Sequence, residues 1–151
     1  PPAAQTNQTV KQFRNVSGAT ITSGTSVIFD LNDTGTVTGA FRGSHLHTLG
    51  LDVNTTTTAD SPLFAGVLQD ASCDDDEVCN FITYGPALVL WAAGSDNTNA
   101  AGAEVGTTTI AGMLGSGTGA GRLYSTTLTG SDSGSNARNG QLRWVFVQFE
   151  P

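Results

Sequence analysis

The 151-residue chain carries thirteen Asp and Glu against six Lys and Arg, a formal charge of −7 with a pI near 4.4. That balance argues against binding nucleic acid or an anionic membrane, which both need a basic face. At this length one domain buries most of its apolar surface without metal or disulfide staples, and 38% hydrophobic residues separate it from disordered tracts.

Gly, Thr and Ser number 19, 22 and 12, a mixture that favours strands and turns, because branched side chains fit the pleated sheet and glycine punctuates turns. The basic residues Lys11, Arg14, Arg42, Arg122, Arg138 and Arg143 are scattered. No apolar run reaches the length of a membrane-spanning helix. Residues 1–13 show neither the charged nor the apolar region of a signal peptide.

Residues 1–14 read as an extended polar arm that orders only on a partner, ahead of one all-β domain over 15–151. NVSGATITSGTSVIFDL (15–31) predicts a strand, a glycine turn and a second strand, with Val27, Phe29 and Leu31 on one face at period two. In TGTVTGAFRGSHLHTLGLDV (34–53), Gly35, Gly39, Gly43 and Gly50 predict short strands with bends or bulges. NTTTTADSP (54–62) predicts a loop entering PLFAGVLQD. NFITYGPALVLWAAG (80–94) predicts a strand whose ALVLW centre is buried on both faces. AEVGTTTIAGML (103–114) predicts a strand pair, GSGTGAG (115–121) a flexible glycine loop and LYSTTLTG (123–130) a strand. A polar loop, SDSGSNARNG (131–140), precedes QLRWVFVQFE (141–150), a central strand that closes the sheet. Eight to ten short strands, without an amphipathic helix or an internal repeat, predict a compact β-barrel or β-sandwich.

CDDDEVC (73–79) holds both cysteines and four of the thirteen acids. Its spacing fits neither the C-x₂₋₄-C of zinc sites nor the C-x-x-C of redox sites, and Val78 breaks the alternation that a calcium loop needs. A structural hairpin tip is favoured, with Cys73 and Cys79 reduced or disulfide-bonded; weak cation binding through Asp74 and Asp76 stays open. His45 and His47 share a strand face, which suits a metal, but no third ligand lies nearby beyond Asp52, and exposed or hydrogen-bonded strand histidines are favoured. GSGTGA (115–120) matches a relaxed dinucleotide fingerprint, yet no helix follows to receive a pyrophosphate. There is no G-x-S-x-G elbow, and nothing singles out a pair of carboxylates. No enzymatic activity and no cofactor are expected. Trp91, Trp144 and Tyr84 are candidate sugar-stacking rings, although the apolar strands around the tryptophans favour core packing.

The succession NVSGATITSGTSVIF, SPLFAGVLQD, YGPALVLWAAG, GTTTIAG and LRWVFVQF resembles the small all-β decoration (cement) proteins of tailed-bacteriophage capsids. The likeness lies in a G-x-x-I-x-x-G-x-x-V strand pair from Gly18 to Val27, then Gly66-Val67, then Gly85 to Val89, and a glycine-rich return to a terminal apolar strand. It covers residues 15–149; CDDDEVC and SDSGSNARNG have no counterpart in it. The resemblance implies a virion structural protein, made in the host cytoplasm, that sits on the outer surface of an icosahedral head. It further implies a homotrimer that fastens capsomers by contacting the major capsid protein, with no nucleic-acid or membrane partner. Gln5, Gln8, Lys11, Phe13 and Arg14 in the arm are then the candidate capsid contacts. The alternative is a fibre- or tail-associated carbohydrate-binding β domain, with Trp91, Trp144 or Tyr84 lining an exposed groove.

Overall fold

The computed structural model describes residues 8–30, 52–92, 101–129 and 141–148. These residues form strands and connecting turns, with no helix among them: β1 (Thr9–Asn15), β2 (Ile21–Thr22), β3 (Ser26–Phe29), β4 (Asp52–Asn54), β5 (Phe64–Leu68), β6 (Ser72–Cys73), β7 (Val78–Trp91), β8 (Glu104–Thr107), β9 (Leu114–Ser116), β10 (Gly119–Thr129) and β11 (Gln141–Gln148). The all-β, barrel-like fold agrees with the expectation from composition and turn spacing.

Nine strands join in the order β1-β4-β3-β5-β7-β11-β10-β8-β9, and two more ladders, β1–β7 and β7–β9, bend that order into a figure of eight. β1, β4, β3 and β5 close on β7 as one five-stranded ring. β11, β10, β8 and β9 close on β7 as a second. Strands that alternate in direction return to their starting direction only around an even-numbered ring, so a ring of five needs a parallel ladder. Each ring has one, and each is short: Arg14↔Asp52 and Asn15↔Val53 in the first, Trp91↔Leu114 in the second.

The 14-residue β7 serves both rings by dividing its length. Val78–Tyr84 pairs with β1, and Tyr84–Trp91 pairs with β11. The start of β1 and the end of β11 therefore meet opposite Tyr84. Gly85 follows at φ 109°, a backbone state that glycine adopts without a Cβ penalty.

Each ring encloses a core. Phe13, Ile21, Val27, Val53, Ala65, Leu68, Phe81 and the two cysteines fill the first; Phe64, Val67, Ile82, Val89, Trp91, Leu123, Val145 and their neighbours fill the second. β5 is buried along its whole length and supplies both cores, Ala65 and Leu68 to one and Phe64 and Val67 to the other. Each large aliphatic or aromatic side chain so buried contributes about 1.5–3 kcal/mol.

Three expectations change. From Thr9 onward the supposed arm is β1, a strand of the first ring, because Phe13 is 5% exposed in the core and meets the Phe29 ring edge-on at 5.4 Å. GSGTGAG is not a flexible loop: its ends belong to β9 and β10. Its glycines serve close packing, since a Cβ at Gly121 would lie 2.1 Å from the Phe146 carbonyl oxygen and one at Gly117 2.1 Å from Asp60 Oδ1. The ALVLW centre is buried on one face through Ala87, Val89 and Trp91, while Leu88 and Leu90 are half-buried on the other. His45, His47, Gln5 and the 131–140 loop lie outside the described residues.

The parallel closure of the first ring carries a charge clasp. Arg14 Nε donates to Asp52 Oδ1 at 2.9 Å and Nη2 to Oδ2 at 2.8 Å, and the Asp52 carboxylate is fully buried. The hydrogen bond to Asp52 is the largest cause raising the Arg14 pKa above the ordinary arginine value, so the guanidinium stays charged at any working pH. Asp52→Ala removes both charge-assisted hydrogen bonds and leaves the guanidinium only the more distant Asp76, and is expected to lower stability by about 1.5–3 kcal/mol. Urea denaturation checks this; an unchanged midpoint would show that the ring closes without the clasp.

Candidate functional site

Two surfaces concentrate polar and aromatic chemistry. The first is the acidic tip between β6 and β7. Cys73 and Cys79 are joined by a disulfide with Cα atoms 6.1 Å apart. β6 does not pair with β7 across the tip but with β2, placing Cys73 opposite Ile21.

The tip is organised by Asn15, fully buried at the end of β1. Its amide nitrogen donates to the carbonyls of Ala19, Cys73 and Asp74 at 2.8, 3.0 and 3.2 Å. Its side-chain oxygen accepts from Ser17 N–H at 3.0 Å. Its backbone donates to the Glu77 carbonyl and accepts from Asp76 N–H. One residue thus ties the 15–20 turn to the 73–79 loop, where unpaired backbone groups would otherwise carry a desolvation penalty.

The four acids complete the same knot. Asp75 accepts from Gly18 N–H and Asp74 from the Thr20 hydroxyl, both at 2.8 Å. Glu77 accepts from Asp74 N–H at 2.8 Å. Asp76, at φ 67°, lies 3.9 Å from the Arg14 guanidinium. Glu77 and the two sulfurs gather within 4.8 Å, but sulfurs bonded to each other are not thiolates and make no zinc ligand set. Asp74 and Asp76, the candidate cation ligands, act here as partners of a turn hydroxyl and of a guanidinium.

The other described carboxylates have similar tasks. Asp60, at φ 53°, accepts from Thr118 N–H at 2.7 Å. Asp70 accepts from Asn80 N–H at 2.9 Å, Asp30 from the Asn54 amide, and Glu104 pairs with Arg122 at 3.1 Å.

The second surface is the outward face of β7, β11, β10 and β8. Alternation along β7 buries Gly85, Ala87, Val89 and Trp91 and turns Tyr84, Pro86, Leu88 and Leu90 outward; along β11 it turns out Leu142, Trp144, Phe146 and Gln148. Tyr84 is 45% exposed and Trp144 38%. The Tyr84 and Phe146 rings meet edge-on at 5.0 Å. Register places Gln148 opposite Tyr84, Trp144 opposite Leu88 and Arg122 opposite Phe146, with Glu104 beyond Arg122. Glu104, Gly119, Gly121, Arg122 and Gln148 line a shallow depression there.

Against this geometry the sequence candidates separate. Phe13 is a core residue and cannot be a contact on a partner. Arg14 is spent in the clasp. Gln8 is half-buried, its amide donating to the Pro86 carbonyl at 2.6 Å; Lys11 is exposed on β1. Trp91 is fully buried beneath the Arg143 guanidinium, 4.8 Å from the ring centroid, and is no sugar platform. Trp144, for which core packing was favoured, lies half-exposed on the outer face. Asn15 and Arg143 were missed. An NVSG turn is a weak sign of an Asn that bonds its own neighbours, and nothing in QLRWVF marks its arginine as buried.

Comparison with models of known protein families and with curated protein sequences returns no match.

Asn15→Ala strands the buried Cys73 carbonyl and two partly buried ones and is expected to cost about 3 kcal/mol. Loss of the disulfide, which closes a short loop, should cost less, about 2 kcal/mol. Urea denaturation of Asn15→Ala and of the Cys73→Ala/Cys79→Ala pair ranks them; the reverse order would make the disulfide, not Asn15, the principal tie of the tip.

Proposed function

We propose that the protein is a virion structural protein: a capsid decoration protein that binds the outer surface of an icosahedral phage head and fastens neighbouring capsomers. It acts as a homotrimer and without enzymatic activity. The observation that carries this reading is the double ring itself, a closed β body sharing one strand, whose nine described carboxylates each hold a turn, a strand or a basic side chain. Such a body suits a rigid fastener. The acidic surface, unsuited to nucleic acid, and the strand-and-glycine pattern running from Gly18 through Gly66-Val67 and Gly85 to the last strand add to it.

The exposed part of β1 is the surface this reading assigns to the major capsid protein. Thr9, Val10, Lys11 and Gln12 are all exposed, while Phe13, Arg14 and Asn15 root the strand in the first ring. Contacts by Lys11, Gln12 and the residues before them would be individually small, and three copies acting together would multiply them.

Cryo-electron microscopy of purified particles is expected to show this chain on the outer shell surface at three-fold or quasi-three-fold positions; a shell without density for it sinks the proposal. Truncation must stop short of β1, because removal through Gln12 would open the first ring. Deleting residues 1–7 should lower particle occupancy while leaving the denaturation midpoint unchanged. Full occupancy after that deletion would rule the segment out as a contact. Sedimentation of the isolated protein at the mass of one 15.5 kDa chain, at concentrations that saturate particles, would remove the trimer.

A further inference from the structure

We infer that the outward face of β7, β11, β10 and β8 is a binding site for a neutral oligosaccharide. The inference goes beyond the shell reading and does not rest on it. A pyranose presents an apolar face of C–H groups and a rim of hydroxyls that both donate and accept. A site for it needs a flat exposed ring beside hydrogen-bonding groups of both kinds, and this face places them in adjacent register. Tyr84, propped edge-on by Phe146, supplies an exposed and oriented ring. Trp144 supplies a second, two residues along β11 from Phe146, about 7 Å away at strand spacing.

Beside the rings lies the polar depression. Arg122 brings N–H donors, Glu104 carboxylate acceptors, and Gln148, opposite Tyr84, offers both. Gly119 and Gly121 complete the lining of the depression. The ion pair at 3.1 Å sets the Glu104 carboxylate against the Arg122 guanidinium, opposite Phe146, and offsets the cation. Together with a net charge of −7, this selects against sulfated or phosphorylated glycans, which an unpaired basic cluster would attract. Amphipathic rings that present an apolar body at little conformational cost suit such contacts, and the shallow depression predicts weak, fast-exchanging binding.

The test is an NMR titration of the full chain with maltohexaose, cellohexaose and N-acetylchitohexaose, with a heparin hexasaccharide as the anionic control. Saturable shifts at Tyr84, Arg122, Gln148 and the Trp144 indole with at least one neutral sugar are expected. Tyr84→Ala should weaken binding about tenfold, and Glu104→Ala, in an exposed pair, should weaken it without disturbing the ring contact. Val78→Ala, on an exposed residue at the far end of β7, should bind as the parent does. No shift with any of the three up to their solubility limits overturns the inference, as do shifts confined to another surface, a response to heparin alone, or undiminished binding by both variants. Particle occupancy and oligosaccharide titration are separate readouts, so either proposal can fail alone.

Discussion

A five-stranded ring cannot be closed by antiparallel pairing alone, and this protein closes two of them on one strand. The odd count forces a parallel ladder into each ring, and a short parallel ladder carries few hydrogen bonds of its own. In the first ring the deficit is met by side chains: the bidentate Arg14–Asp52 pair spans the β1–β4 seam, and Asn15, the next residue, ties that seam to two turns. In the second ring the seam is apolar, with Trp91 beside Leu114 and the Ala92 N–H donating to the Leu114 carbonyl at 2.9 Å. Ion pairing at one end and aromatic packing at the other solve the same topological problem.

Sharing β7 brings a second constraint, because two rings around one strand crowd the backbone. Where layers approach most closely, a side chain would collide. A Cβ at Gly66 would lie 2.7 Å from the Ile82 carbonyl oxygen, and one at Gly106 2.4 Å from that of Thr118. Glycine at these places serves approach rather than flexibility. This explains why both ends of the glycine-rich stretch after Leu114 are strand: the residues that look loosest in the chain sit where the packing is tightest.

That inversion marks the boundary of what the chain reveals before folding. Strand content, the turn at Gly24, the loop at 54–62 and the terminal closing strand are all legible, because they follow from period-two alternation and local turn chemistry. Ring closure is not, since β1 pairs with Asp52–Val53 and with Val78–Tyr84, partners far along the chain that no local pattern encodes. The arm illustrates the difference. Thr9–Gln12 is polar enough to read as a tail, and only the distant Asp52 and Asn80, with the core around Phe13, make it a strand. At the acidic tip the cysteine spacing was informative about which metal and redox chemistries to discard, while the role of Asn15 depended on contacts spread across residues 15 to 77.

The placement of charge bears directly on where function can reside. Each carboxylate described is engaged by a backbone N–H, a hydroxyl, an amide or a guanidinium, so the acidic composition is largely absorbed in holding turns. A loop such as CDDDEVC, the densest concentration of potential ligands in the chain, is consumed by its own architecture: Asp74 and Asp75 meet the 18–20 turn, and Glu77 folds back on Asp74. Among the described residues, the exposed rings of Tyr84 and Trp144 are groups of another kind, not engaged in holding turns. Burial of Ala87, Val89 and Trp91 of β7 and of Val145 and Val147 of β11 in the second core commits the even-numbered residues between them to the outside, so the core that stabilises the ring also orients the outer face. A substitution in that core, at Val89 or Val145, would therefore disturb the outer face through the strands themselves, without touching any residue on it.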